Sequence, residues 1–109
     1  MLLDSMPEVG SKAPAFSALD QDGEKVSLAG LKGKKVALLF YPKDDTPTYT
    51  VEVCDLRDNH ARLKKAGYNV IGVSPDDITS HKKFANKFKL PFSLLADEEK
   101  KIVNAYGVW

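Results

Sequence analysis

Residues 36–54 read VALLFYPKDDTPTYTVEVC, and this stretch decides the fold. Its first six residues are continuously apolar and lie between Lys35 and Pro42. A continuous apolar run of this kind is typical of a strand that is buried on both faces of a parallel sheet. The polar residues after the run predict a loop, and the spacing of less polar residues from Val53 onward predicts a helix. We therefore expect a strand, a loop and a helix in that order.

Two further apolar runs predict two more strands of the same kind. Residues 68–74 end at Pro75, and residues 92–96 follow Pro91. Between and after the strands, less polar side chains recur three or four positions apart, which is the spacing of helices. They are Val53, Leu56, His60 and Leu63 in the first segment, Ile78, His81, Phe84, Ala85 and Phe88 in the second, and Ile102, Val103 and Tyr106 in the third.

The boundaries of these elements predict the fold class. We expect the first helix to end at Gly67, the second to begin near residues 76–77, and the third to begin near Asp97. Residues 15–28 contain two short alternating runs around an Asp-Gly pair, which predicts an N-terminal β-hairpin. A hairpin followed by alternating strands and helices predicts an α/β fold with right-handed crossovers, a parallel sheet and helices on both faces.

The composition predicts a single soluble domain that acts on small substrates. The chain has 109 residues, and its 16 basic and 15 acidic residues are interleaved, with a net charge of +1. This balance argues against nucleic acid or an anionic membrane as a partner. No apolar run is long enough to span a bilayer, and the N-terminus has no secretory pattern, so we expect a cytoplasmic protein.

The last residues predict that the domain, which covers residues 1–109, is incomplete at its C-terminus. Val108 and Trp109 are large and apolar, whereas chain termini are usually polar and frayed at the surface. The alternative is a short protein whose Trp109 packs onto the core.

One cysteine limits the redox chemistry that the chain can carry out. Cys54 has no second cysteine to pair with, which excludes an internal disulfide and a cysteine-built zinc site. By itself it is a small, partly buried residue of a helix. It lies close to the loop after the first strand, however, and ligands bind at such loops in open α/β sheets. The first turn of the following helix stabilises anions, including a thiolate.

The loop carries the motif of a known family. Pro42 and Thr46 fit the pattern Pro-x-x-x-Thr-x-x-Cys, and Tyr49 stands at the position of its cysteine. The chain resembles the bacterioferritin comigratory protein or peroxiredoxin Q branch of the peroxiredoxins from residue 10 onward. Further matches are Thr50, Glu52, Cys54 and residues 56–58 (LRD), 72–76 (GVSPD), 81–84 (HKKF), 90–92 (LPF) and 106–109 (YGVW). The resemblance implies a thioredoxin-like fold that continues with another hairpin and a helix.

The resemblance also implies an activity and a role for each matching residue. It implies a thiol peroxidase that reduces hydrogen peroxide and organic hydroperoxides, that needs no metal or other cofactor, and that is reduced by thioredoxin or a similar dithiol. Thr46 would align the peroxide with the thiolate, and Pro42 would shield the thiolate from water. Cys54 would be the resolving cysteine, which forms a disulfide with position 49 after local unwinding of the helix. From the residues alone, Thr46 is a turn residue and Pro42 ends a strand. A monomer or a homodimer is expected.

Tyr49 predicts that the chain is inactive by this route. A phenol cannot be oxidised to the sulfenic acid that the family forms. The later hairpin would supply an arginine that polarises the peroxide, and this residue is also absent. The alternative function is a redox-inert thioredoxin-fold module that binds a partner with Tyr49 as its aromatic anchor. A third interpretation is a sequence error at position 49.

Two histidines and two aspartates are assigned no chemical role. His60 and His81 are separated in the sequence, without a carboxylate or cysteine cluster at metal-ligand spacing, so we expect residues at a helix surface or core edge. Asp44 and Asp45 are adjacent residues of a turn, and we expect them to be solvated rather than to bind a metal.

Overall fold

A computed structural model describes residues 9–108. The predicted N-terminal hairpin is confirmed: β1 (Ser17–Leu19) pairs antiparallel with β2 (Lys25–Ser27). The turn is closed by Asp20, whose carboxylate accepts the amides of Asp22 and Glu24 at 2.9 and 3.0 Å. A short 3₁₀ turn (Ala29–Leu31) leads from the hairpin towards the sheet.

The three predicted buried strands form one parallel sheet. They are β3 (Lys35–Phe40), β4 (Tyr68–Ser74) and β5 (Ser93–Ala96), in the order β3-β4-β5. The register places Leu39 beside Gly72 and Gly72 beside Leu94. The carboxyl ends of all three strands therefore lie at the same end of the sheet, where the loop after β3 begins.

Four helices connect and follow these strands, and one of their predicted starts is wrong. They are α1 (Pro47–Asp58), α2 (His60–Lys65), α3 (Ile78–Phe88) and α4 (Lys101–Ala105). The first helix begins at Pro47, six residues before the periodic pattern that starts at Val53, because proline at the first helical position has its φ preset for a helix. Asn59 divides it in two, and its side-chain amide donates to the carbonyl of Asp55 at 2.8 Å.

Aspartate side chains determine how the last two helices begin. Asp77 caps α3 by accepting the amide of Ser80 at 2.8 Å, which confirms the predicted start. The third predicted helix begins at Lys101 instead of near Asp97. The buried Asp97 carboxylate lies before α4 and accepts the amides of Ile102 and Val103. Within residues 9–108, no helix is long and apolar enough to cross a membrane.

Side chains alternate across the sheet and form two apolar layers. Val70 and Leu94 face one side, where they pack with Val53 of α1 and Phe84 of α3. The other layer contains Ile71, Val73, Leu95, Ile102, Val103 and Phe16. Helices thus cover both faces, as the buried character of the strands predicts.

Gly72 lies where β4 approaches its neighbours too closely for a side chain. A Cβ atom there would lie 2.8 Å from Cδ2 of Leu94 and 3.3 Å from Cε1 of Tyr41. Leu94 and Tyr41 are both buried, so neither side chain has free space to move into. The glycine allows the Tyr41 ring to pack against the sheet at the start of the loop.

We predict that Gly72→Ala lowers the free energy of unfolding by about 1–3 kcal/mol, because the added methyl overpacks a buried contact. Urea denaturation followed by circular dichroism measures the change. Gly30→Ala is the matched control, since its Cβ would meet only Ser27 Oγ at 3.4 Å on the exposed side. Equal losses in the two variants would contradict the packing argument.

The two edges of the sheet are covered differently. Gln21 covers β5: its Nε2 donates to the carbonyl of Phe92 at 3.0 Å, and its Oε1 accepts the amide of Leu94 at 2.8 Å. The other edge is β3, whose residues 36–40 are apolar and only half-buried. Within residues 9–108 no strand pairs with that edge of β3. An unprotected apolar edge is a template for pairing with another chain.

We predict that the 109-residue chain associates through β3, with an apparent mass that rises with concentration in sedimentation experiments. Val36→Pro should weaken the association and retain the fold. The amide of Tyr41 donates to Val73 of β4, so by alternation the amide of Val36 points away from β4. A monomer at all concentrations, or association that Val36→Pro does not change, would contradict this prediction.

Candidate active site

The candidate site is built from the loop between β3 and α1 and from the first turn of α1. Tyr41 is buried, and its amide donates to the carbonyl of Val73 at 3.1 Å, which attaches the start of the loop to β4. Pro42 is exposed, and Thr46 is the N-cap of α1. Tyr49 lies in the first helical turn. The structure thus places Pro42, Thr46 and Tyr49 at the carboxyl end of β3.

A cleft of about 300 Å³ opens beside Tyr49. Pro42 and Tyr49 line it together with Phe40, Tyr41, Val103 and Val108. The lining is mainly apolar, so the cleft offers few polar groups beside position 49. Tyr49 itself is half-buried and packs against the core layer that contains Val53.

Two hydroxyls near the start of α1 are buried without partners. Among the described residues, Oγ1 of Thr46 and Oγ1 of Thr50 have no hydrogen-bond partner. The Thr46 side chain does not cap the helix, although its carbonyl accepts the amide of Thr50 at 2.8 Å. A buried polar atom that is left unpaired needs an explanation. Thr46 Oγ1 thus has a hydrogen-bonding capacity that the protein does not use, at the N-terminus of α1 where helix amides favour negative charge.

Cys54 lies further along α1 and is half-buried. It comes five positions after residue 49, so the two side chains leave the helix about 140° apart and about 7.5 Å apart along its axis. A disulfide between these positions would require α1 to unwind locally. Arg57, three residues after Cys54, donates from Nη1 to the carbonyl of Phe88 at 2.8 Å. That bond ties the second half of α1 to the end of α3.

The structure contradicts the prediction that Asp44 is solvated. Asp44 is buried, whereas Asp45 is exposed as predicted. Oδ1 of Asp44 accepts the hydroxyl of Tyr41 at 2.7 Å, and Oδ2 accepts the hydroxyl of Ser80 at 2.7 Å. The buried hydroxyl of Tyr41 needs an acceptor, and Asp44 provides it by turning inward. An inward-facing aspartate cannot be distinguished from a solvated one by its neighbours in the sequence.

His81 is fully buried rather than at the surface or the core edge, so that prediction is also wrong. Its Nδ1 lies 2.8 Å from Oδ2 of Asp44, and its Nε2 lies 2.9 Å from the carbonyl of Leu95. A carboxylate and a carbonyl both accept hydrogen bonds, so this geometry favours a ring that donates from both nitrogens, the imidazolium. The signal was present in the sequence, because His81 lies on the apolar stripe of α3. His60 fits its prediction: it is half-buried and packs against Phe92.

The charges of this pair change the pKa of each partner. Burial favours the neutral form of His81, but the hydrogen bond and the charge of Asp44 outweigh it and raise the pKa of His81. Burial likewise favours neutral Asp44, but hydrogen bonds from His81 and Tyr41 outweigh it and lower the pKa of Asp44. Both shifts favour the charged form of the group concerned.

Asp76 completes the cluster. Its Oδ2 accepts the amide of Asp44 at 2.7 Å and the hydroxyl of Ser74 at 2.6 Å. Side-chain atoms of Asp44, Asp76 and His81 lie within 4.8 Å of one another, which is close enough for a metal ion. His81 could bind a metal through Nδ1 only by losing the proton that it donates to Asp44. The cluster is a complete hydrogen-bond network without a metal.

Comparison with known proteins identifies relatives of the chain. A family model described as the AhpC/TSA family matches residues 9–109. The chain is 52% identical over 99 residues to the chloroplastic peroxiredoxin Q of Suaeda salsa, which covers 91% of this chain and 46% of that protein. It is 50% identical over 101 residues to the putative peroxiredoxin bcp of Coxiella burnetii, with coverages of 93% and 67%. The chain thus spans about half the length of the plant relatives that it matches.

Solved structures confirm the predicted thioredoxin-like α/β fold. Peroxidoxin BcpB from Mycobacterium tuberculosis superposes with a TM-score of 0.85 at 29% identity, covering 90% of this chain and 64% of that one. Peroxiredoxin Q from Xanthomonas campestris superposes with a TM-score of 0.83 at 31% identity, with coverages of 85% and 59%.

We predict that the Asp44–His81 pair makes the free energy of unfolding depend on pH in both directions. The contribution of His81 is complete below its ordinary pKa of 6.5 and is lost as the pH rises through the raised pKa of the folded state. The contribution of Asp44 is complete above its ordinary pKa of 3.8 and is lost as the pH falls through the lowered pKa of the folded state. The contribution of the pair should be largest between these two ordinary values. Urea denaturation at a series of pH values measures it.

The variant His81→Gln isolates the alkaline part of this profile, because it removes the imidazolium and leaves Asp76 and His60 in place. Its stability should fall less than that of the parent chain as the pH rises above neutral. An identical alkaline decline in both proteins would show that His81 does not cause it.

Proposed function

The chain belongs to the AhpC/TSA family, and from that premise we propose that it has the site of a thioredoxin-dependent thiol peroxidase in which Tyr49 replaces the reacting cysteine. The substrates of that site are hydrogen peroxide and organic hydroperoxides. The observation that carries this proposal is the position of residue 49. It lies in the first turn of α1 beside the cleft, one turn from the buried and unpartnered hydroxyl of Thr46.

The proposed reaction needs a thiolate at position 49. The thiolate attacks one peroxide oxygen and breaks the O–O bond, which releases water or an alcohol and leaves a sulfenic acid. The thiol of Cys54 then attacks the sulfenic sulfur, releases water and forms a disulfide, which a dithiol such as thioredoxin reduces. The phenol of Tyr49 cannot take the first step. The chain as it stands is therefore inactive by this route.

The neighbouring residues would act on the bound peroxide and on the thiolate. Thr46 Oγ1 would donate to the peroxide, and the amides of the first turn of α1 would stabilise the thiolate. Pro42 would exclude water from the cleft. Cys54 would reach position 49 only after α1 unwinds, since the two residues lie on different sides of the helix.

The proposal also covers the domain, the oligomeric state, the cofactors and the location of the protein. Residues 1–109 form a single domain, which works as a monomer or a homodimer without a metal or other cofactor. The bacterial relative bcp supports a cytoplasmic location, while the plant relatives are named chloroplastic. Among the described residues 9–108 no hairpin follows α4, so the arginine that the family resemblance assigns to a later hairpin has no counterpart there.

A second function is a redox-inert module that binds a partner through the same cleft. The observation that favours it is the apolar lining of the cleft beside Tyr49. A half-buried tyrosine beside an apolar cleft is a common anchor in protein interfaces. In this function Tyr49 is the functional residue, and restoring a thiol would weaken binding.

We predict that the parent chain does not turn over peroxide and that Tyr49→Cys restores the first two chemical steps. The Tyr49→Cys substitution places a thiol at the N-terminus of α1, where the helix dipole favours the thiolate. Peroxide should then produce an intramolecular disulfide between positions 49 and 54, seen by intact-mass spectrometry as the loss of two hydrogens. The missing arginine should slow this reaction by about 100- to 1000-fold relative to a peroxiredoxin that has one.

Two controls make the result specific. Tyr49→Cys combined with Cys54→Ser should stop at the sulfenic acid, and the parent chain should not consume peroxide when coupled to thioredoxin. Thioredoxin-coupled peroxide consumption by the parent chain would refute the inactivity of Tyr49. A restored thiol that is oxidised without engaging Cys54 would refute the assignment of the resolving cysteine.

A further inference from the structure

The loop that carries the proposed site is held mainly by side chains. Tyr41 is bonded to β4, and the next backbone hydrogen bond along the chain is that of Thr50 to the Thr46 carbonyl. Between them, in the described chain, Asp44 and Asp45 make the hydrogen bonds of the loop. The amide of Asp44 donates to Asp76, and its carboxylate accepts from Tyr41, Ser80 and His81. The position of residues 42–46 therefore depends on Asp44.

Asp44 connects the loop to three other parts of the fold. Ser80 and His81 belong to α3, and Asp76 follows β4. His81 extends the connection, because its second nitrogen donates to the carbonyl of Leu95 in β5. Through these bonds one loop residue is tied to α3 and to the ends of two strands.

We propose that Asp44 and His81 are positioning residues, a buried ion pair that fixes the loop of residues 42–46 and thereby the placement of Thr46 and position 49. The role assigned to those two residues rests on the proposed peroxidase site. The pair itself does not touch the cleft, which is lined by other residues. It acts through the loop.

Energetic considerations favour positioning over stability as the role of the pair. Burying two charges costs desolvation energy, and the attraction between the charges does little more than offset this cost. Apolar residues of similar volume therefore often stabilise a core equally well. A charged pair differs from apolar side chains in being directional. The Asp44 carboxylate accepts three side-chain donors at 2.7–2.8 Å, which leaves it one orientation. That restriction is useful where the loop must hold a reacting group.

The chain offers a matched control for this inference. Lys87 Nζ of α3 lies 2.6 Å from Asp45 Oδ2, so this second ion pair joins the same two elements as the Asp44–His81 pair. Its side chains are 60% and 43% exposed, compared with 0% and 5% for His81 and Asp44. Solvent-exposed ion pairs contribute little to the free energy of folding. Lys87→Gln should therefore leave the loop unchanged.

Hydrogen exchange of backbone amides in the 109-residue chain tests the positioning role without any peroxide chemistry. In His81→Gln, the amides of Asp44 and Thr50 should exchange at least about tenfold faster, while that of Val73 in β4 changes much less. Lys87→Gln should change none of the three by more than about twofold. If His81→Gln does not fold, Ser80→Ala removes one neutral donor to Asp44 and should give a smaller change in the same direction. Equal acceleration at all three amides, or none, would overturn the inference.

A second readout separates positioning from a purely structural role. In a background with Tyr49→Cys and Cys54→Ser, the alkylation rate of the introduced thiol is measured against pH. Combining Asp44→Asn with His81→Gln leaves the net charge of the pair unchanged and should raise the midpoint of this profile by at least about 0.5 unit, since the thiolate loses its fixed donors. Lys87→Gln should not shift it. An unchanged midpoint in the double variant would overturn the inference, and absence of peroxide oxidation would overturn only the proposed function.

Discussion

The buried ion pair between Asp44 and His81 is the interaction on which the geometry of the site depends. It joins the loop after β3 to α3, and through Leu95 it reaches β5. Gly72 complements it by letting the Tyr41 ring, whose hydroxyl bonds Asp44, pack against the sheet. The parallel strands thus bring together residues that are far apart in the sequence.

In the proposed function, the site keeps the surroundings of a reactive group without the group itself. The N-terminus of α1 and the unpartnered hydroxyl of Thr46 suit an anion at position 49, and the apolar cleft opens beside it. Tyr49 fills this place with an aromatic ring that packs against the core. The same geometry is the basis of both proposed functions, the thiol peroxidase site that lacks its thiol and the partner-binding module.

The sequence predicted the elements that depend on local pattern. The runs that became β3, β4 and β5 were recognisable because a strand buried on both faces must be continuously apolar. The start of α1 was missed because its first turn contains Pro47 and polar residues, with no apolar spacing to reveal it. The place of Tyr49 came from the family motif and not from spacing.

The sequence could not predict the ion pair, because Asp44 and His81 are 37 positions apart and meet only through the packing of α3 beside the loop. An aspartate in a polar loop is usually solvated, and nothing in its neighbours indicates burial. His81 gave a partial signal, since it lies on the apolar stripe of α3 with Phe84 and Ala85. A buried histidine on such a stripe requires a partner, but its identity is a property of the fold.

The ¹⁵N chemical shifts of the His81 ring are the sharpest test of the buried ion pair. At pH 7 a histidine with the ordinary pKa of 6.5 is mostly neutral, with one protonated and one bare nitrogen. We expect both nitrogens of His81 to be protonated at this pH and the Nδ1 proton, held by Asp44, to exchange slowly with water. A bare nitrogen in the His81 ring at pH 7 would contradict this expectation.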